Sequence, residues 1–146
     1  MTRIAKGLEQ ARGWGRSAVA IGNFDSVHAG HRVLLRATVK LARKLGATPS
    51  VLTFDPHPAC IVAPDRAPRM LFTLEERCAA LEAEGIEAIL VLPFTVDVAR
   101  LTPEEFVASI LCGALRAAAV VVGENFRFGH KKAGDARVLA DRKSVV

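Results

Sequence analysis

Two histidines, His28 and His31, stand three residues apart with Gly30 between them in the run IGNFDSVHAGH (21–31). Imidazoles at that spacing on one turn of helix can face the same anion and donate hydrogen bonds to it. The first strand is read as ending at about Phe24, DSVHAGH (25–31) as the turn out of it, and the residues from Gly30 onward as a helix with His31 in its first turn. A helix start presents unpaired N–H groups and partial positive charge, and a glycine there lets an anion come close to the backbone. The chemistry this favours is the binding of phosphate oxygens, strongest where negative charge builds up during a reaction. An isolated pair of such histidines is more often a helix cap and a surface residue. The strand before, the glycine inside and the helix after are the context that turns the spacing into a phosphate cradle.

The elements that must position this turn are legible as apolar runs. SAVAIGNF (17–24), PSVLTF (49–54), IEAILVL (86–92) and AAAVVVG (117–123) are nearly continuous in Val, Ile, Leu and Ala, the pattern of strands buried on both faces in a parallel sheet. Over 30–45 a helix is predicted, with Val33, Leu34, Ala37, Leu41 and Leu45 as its apolar side and Arg32, Arg36, Lys40, Arg43 and Lys44 as a basic outer stripe. Thr73 to Glu76 and Thr102 to Glu105 are capping boxes, the second with Pro103 at the first helical position and an apolar face of Phe106, Val107, Ile110 and Leu111 after it. Strands and helices alternate, so the fold class is α/β with right-handed crossovers, a Rossmann-like doubly wound parallel sheet. Pro56, Pro58, Pro64 and Pro68 mark a long loop after the second strand, at the sheet edge where such folds bind ligands.

Bulk properties narrow the classes. At 146 residues, 51% hydrophobic, the chain is the size of one domain with its own core. No apolar run approaches the ~18 residues of a membrane span, so a cytoplasmic protein with no membrane partner is expected. Cys60, Cys78 and Cys112 are widely spaced, without a CxxC pair, and are expected to be buried free thiols. A net charge of +5 suits nucleic acid, a membrane surface or a polyanionic small molecule. The chain has few aromatic residues, and those it has stand beside prolines and glycines of the kind that line a small-molecule pocket, which argues against nucleic acid as the partner.

GNFDSVHAGH (22–31) resembles the HxGH signature of the nucleotidyltransferase superfamily. VLTFDPHP (51–58), LFTLEERCAALEAEGIEAILVLPF (71–94), LTPEEFVASIL (101–111) and VVVGENFRFGHKKAGD (120–135) narrow the resemblance to the FMN adenylyltransferase domain of prokaryotic FAD synthetases, over most of the chain from about residue 17 to 135. The resemblance implies transfer of AMP from ATP to FMN, giving FAD and pyrophosphate with Mg²⁺ present, by in-line attack of the FMN phosphate without a covalent enzyme intermediate. It implies that Gly22, Asn23, Phe24, Asp25, His28, Gly30 and His31 serve ATP, with both histidines on its phosphates. By spacing alone, no set of side chains is expected to be a dedicated metal site. On the flavin side, a flat ring with polar edges calls for aromatic or proline walls. Phe54, Pro56 and Pro58 offer these, as do Phe126 and Phe128 beside Arg127. Asn125 is implied, with His28 and His31, as a residue acting at the transferring phosphates or the flavin. For each phenylalanine the alternative is plain core packing.

Other residues carry less. His57 reads as a loop residue shaped by its prolines, and His130 with Lys131 and Lys132 as a charge run on a solvated face. Ser26 follows Asp25 where the resembled family usually has glycine, and a Cβ there resists a positive φ. The family's second signature, a hydroxyl-rich stretch ending in arginine that grips ATP phosphates, is not found in ARVLADRKSVV (136–146), nor is a riboflavin kinase domain. The expectation is therefore one nucleotidyltransferase domain over 1–146, C-terminally incomplete. The alternatives are a non-catalytic flavin or nucleotide binder and another HxGH nucleotidyltransferase. Oligomeric state is not legible.

Overall fold

The structure is a computed structural model that describes residues 2–11, 14–22, 24, 29–55, 73–93, 95–122, 127–128, 134–135 and 144–145. Four expected strands form, as β2 (Ser17–Ile21), β3 (Thr48–Phe54), β4 (Ala88–Leu92) and β5 (Ala117–Val121). They lie in one parallel sheet of order β1-β4-β3-β2-β5-β8, completed by the outer strands β1 (Arg3–Lys6) and β8 (Ser144–Val145). Two short strands, β6 (Arg127–Phe128) and β7 (Gly134–Asp135), pair antiparallel as a separate ribbon. The fold is the expected α/β, Rossmann-like doubly wound sheet.

Burial on both faces explains the unbroken apolar runs. Alternate residues of one strand face opposite layers. Ile89 and Val91 of β4 join Val51, Leu35, Val39, Cys78 and Leu81 in one cluster, while Leu90 and Leu92 join Ile21, Leu52, Phe106, Ile110 and Leu111 in the other. The first layer is built by α1 (Ala29–Leu45) and α2 (Leu74–Ala83). The second includes the short helices α3 (Val96–Ala99) and α4 (Pro103–Phe106), the latter running on as a π-helical stretch, Val107–Ala114. Both capping boxes close: Glu76 N donates to Thr73 Oγ1 at 3.1 Å while Thr73 N donates to Glu76, and Thr102 and Glu105 exchange the same bonds. These bonds hold the carboxyls of Glu76 and Glu105 below the usual carboxylate range, the Thr backbone N–H contributing most.

Several expectations need correcting. β2 stops at Ile21 rather than Phe24: Gly22 N still donates to Leu52 O at 3.1 Å, but Phe24 turns the chain with φ 49° and ends the ladder. β4 begins at Ala88 and β5 ends at Val121, shorter by two residues each than the apolar runs. The buried face of α1 is Leu35, Thr38, Val39 and Ala42, while Val33 is 69% exposed. The basic stripe of α1 is exposed as expected, and Arg32 and Arg36 share Glu84 at 3.4 and 3.7 Å. Cys78 is a buried free thiol, its pKa pushed up chiefly by burial, but Cys112 is exposed on the π-helical stretch; Cys60 lies outside the described residues.

Candidate active site at the sheet's switch point

β2 is where the sheet reverses its order. β3 and β4 follow on one side of it, and β5 and β8 on the other. In doubly wound sheets the crevice at the carboxyl ends of the strands flanking such a reversal is where ligands bind. Gly22, Phe24 and the start of α1 lie at this point, so the topology puts the expected phosphate cradle where the fold is built to hold a ligand.

The described part of the cradle is a stack of three residues. Phe24, 2% exposed, turns back with φ 49° and sends its ring into the cluster under α1. That ring covers Gly22 so closely that a Cβ there would meet ring atoms at 3.0, 3.1 and 3.4 Å. A side chain at position 22 would crowd this ring and push it aside. The Phe24 ring also meets the imidazole of His31 edge to face, with centroids 5.2 Å apart and planes at 61°. His31 is half-buried in the first turn of α1. Its ring is held at the mouth of the helix by a buried aromatic, and the strained backbone of Phe24 makes that support possible. A non-glycine residue at positive φ persists only where its surroundings enforce it, and such positions gather at functional sites.

Phe24, expected on the ATP side, is buried with its ring against Gly22 and His31. Phe54, expected as a flavin wall, is 7% exposed with its ring in the core cluster of the opposite layer, the packing role weighed as its alternative. Of the other expected site residues, Gly30 is described within α1, and Arg127 and Phe128 in β6, by their backbone only. Asn23, Asp25, His28, Pro56, Pro58, Asn125 and Phe126 lie outside the described residues, as do His57, His130, Lys131 and Lys132.

One residue with a place at this edge carried no expectation. Arg77, on α2, is 1% exposed; its Nη1 donates to Phe54 O at 2.8 Å and to Thr53 Oγ1 at 3.3 Å, both at the carboxyl end of β3. A signal was present. Arg77 lies three residues after Leu74 and four before Leu81, so it interrupts the apolar stripe of its own helix. Among the described residues no three His, Cys, Asp or Glu side chains gather as metal ligands.

Comparison with known proteins settles the family. Residues 10–146 match the FAD synthetase family. This chain belongs to the FAD synthetase family. It is 37% identical over 121 residues to the bifunctional riboflavin kinase/FMN adenylyltransferase of Escherichia coli K12, which covers 83% of the chain and 39% of that protein. To the protein of the same name from Pseudomonas fluorescens it is 36% identical over 134 residues, 91% of the chain and 43% of the relative. The chain thus spans about two fifths of the length of these relatives. Among solved structures, a Streptococcus pneumoniae protein described as a macrolide-efflux protein superposes with a TM-score of 0.86 at 30% identity, covering all of this chain and 50% of that one. A universal stress protein from Archaeoglobus fulgidus shares the fold alone, with a TM-score of 0.53 at 19% identity over 91% of this chain and 93% of its own. Within the FAD synthetase chain no described helix is long and apolar enough to cross a membrane.

Proposed function

We propose that this chain is an FMN adenylyltransferase domain: it binds ATP and FMN and forms FAD and pyrophosphate. The observation that carries the reading is the stack of Gly22, Phe24 and His31 at the switch point of the sheet, in a chain of the FAD synthetase family. An oxygen of the FMN phosphate attacks the α-phosphorus of ATP in line, the bond to the β,γ-pyrophosphate breaks, and AMP is joined to FMN. No protein nucleophile is needed. The protein's part is to align two polyanions and to stabilise the charge that develops on the α-phosphoryl oxygens and the leaving pyrophosphate. His31, fixed by Phe24, is the donor placed for this, with His28 beside it in sequence and the N–H groups at the start of α1 around them. Gly22, Asn23, Asp25 and Gly30 leave room for the ATP phosphates. Asn125, Phe126, Arg127, Phe128, Pro56 and Pro58 serve FMN, with Asn125 also reaching the transferring phosphates. Mg²⁺ enters with ATP, held mainly by its phosphates. The reaction is one of the cytoplasm, and residues 1–146 act as one nucleotidyltransferase domain.

The test is FAD formation from ATP, FMN and Mg²⁺, followed by chromatography, with the fluorescence quenching of FMN as a separate measure of binding. H31A is expected to lower turnover by about 10²-fold, the usual effect of losing one transition-state donor, and to leave FMN affinity within about twofold. Equal loss of both would reduce His31 to a structural residue. Quenching of FMN by the unaltered chain with no FAD formed would make the protein a flavin binder and overturn the transfer reaction.

A further inference from the structure

Arg77 is a costly residue for what the fold alone needs of it. Its guanidinium is buried, and among the described residues its Nε has no hydrogen-bond partner and no carboxylate pairs with it. It stands in the first turn of α2, where the helix's own dipole is positive and disfavours a cation. A buried charge held only by neutral acceptors is poor value for stability, and an apolar side chain of similar volume would fill this place better. What the guanidinium does make is a bond of 2.8 Å to the carbonyl of Phe54, the last residue of β3, and one of 3.3 Å to the hydroxyl of Thr53. The next residue, Asp55, is exposed and closes the ladder by donating from its N–H to Leu92 O at 3.2 Å. Arg77 therefore grips the point at which the chain leaves the sheet.

We propose that Arg77 is a positioning residue for the flavin side of the site: from within the core it fixes the carboxyl end of β3 at Thr53 and Phe54. The inference rests on the reading of the protein as an FMN adenylyltransferase, because that reading assigns the end of β3 to FMN and the end of β2 to ATP. Arg77 touches the first and not the second, so its removal acts on one substrate. A planar fork with several donors suits two acceptors on adjacent residues, whereas a lysine supplies the charge but a single point of contact.

The experiment compares R77M, which keeps volume and removes every donor, with R77K, which keeps the charge. FMN binding is read by fluorescence quenching, ATP binding by calorimetry with Mg²⁺, and folding by circular dichroism with urea. In R77M the FMN dissociation constant is expected to rise about tenfold with ATP affinity within twofold of the unaltered protein, while in R77K the FMN constant rises only about two- to fourfold. An FMN constant that stays within twofold in R77M, or FMN and ATP constants that shift together, overturns the inference. Should R77M fail to fold, R77K decides alone: a two- to fourfold loss confined to FMN supports it, and no loss or an equal loss for ATP overturns it. Unaltered protein that binds ATP but not FMN removes the parent reading and this inference together, an outcome visible before either variant is made.

Discussion

Phe24 and Arg116 have the same backbone conformation, φ 49°, and lie at opposite ends of the sheet. Each is a side-chain-bearing residue in a region that glycine enters freely, at a cost of about 1–2 kcal/mol. Arg116 is exposed between the π-helical stretch and β5, its carbonyl accepts from Ser17 N at 3.2 Å, and its side chain makes no described contact. It marks where a helix ends and a strand begins, a joint glycine would serve as well. Phe24 is buried, lies against Gly22 and supports the ring of His31. There the strain is tied to one particular side chain. Equal dihedral angles thus have different settings: at the amino-terminal edge the strain belongs to a connection, and at the carboxyl-terminal edge it comes with a buried ring that lies against the imidazole of His31.

The largest effect that tests this contrast is F24A. Removing a buried phenylalanine from a packed cluster costs about 3–5 kcal/mol, against roughly 0.5 kcal/mol or less for R116A at an exposed joint. Urea denaturation measures both. F24L sharpens the comparison, because it keeps most of the apolar volume and removes only the ring under His31. Its expected stability loss is about 1 kcal/mol, with FAD formation falling well beyond what that loss explains. If F24L retains full turnover, the platform role is wrong and Phe24 is only core.

Next in size is G22A. The added methyl would lie 3.0 Å from a ring atom of Phe24, tighter than most real contacts, so the buried ring must give by a few tenths of an ångström. Overpacking of this kind costs about 1–3 kcal/mol, and the displaced ring should carry His31 with it, lowering turnover more than FMN affinity. The double variant with F24L is the critical measurement. If the two glycine and phenylalanine effects add, the residues do not act through one another; a marked shortfall from additivity shows that they do.

How much of this was legible in the sequence follows from what kind of information each feature needs. The four inner strands and both capping boxes are local: continuous apolar residues, or a threonine and a glutamate three apart, specify them without reference to the rest of the chain. β1 escaped notice because it is an edge strand of four residues, Arg3–Lys6, with three of them exposed and no apolar run to betray it. β8 offers two residues only. The buried face of α1 was placed about one residue out of phase, because Leu34 and Leu35 are equally apolar and only packing on the sheet decides between them. The place of Gly22 and His31 at the sheet's switch point was readable from the run around them, but the turn at Phe24 was not. A phenylalanine before a turn carries no sign that its φ is positive, since the conformation is imposed by the cluster that swallows the ring. Arg77 was readable in principle, as a charge on an apolar stripe; its bonds to the end of β3 depend on a strand 23 residues earlier in the chain.

The smallest effect is also the cleanest separation of the two strained positions. R116G should stabilise the protein by roughly 0.5–1 kcal/mol, since relief of left-handed strain outweighs the added entropy of glycine in the unfolded chain. No buried contact is lost, and the bond from Ser17 N to the carbonyl of residue 116 is kept. FMN and ATP affinities should be unchanged, because the joint lies at the edge of the sheet away from the ligand crevice. The same replacement at position 24 relieves the same strain and yet should destabilise, because the ring is gone. A stabilising F24G would mean that the cluster under α1 gains nothing from the ring, and the strain at Phe24 would then be as incidental as that at Arg116. A destabilising R116G would instead show that the arginine side chain holds the joint, and the contrast would shrink to one of degree.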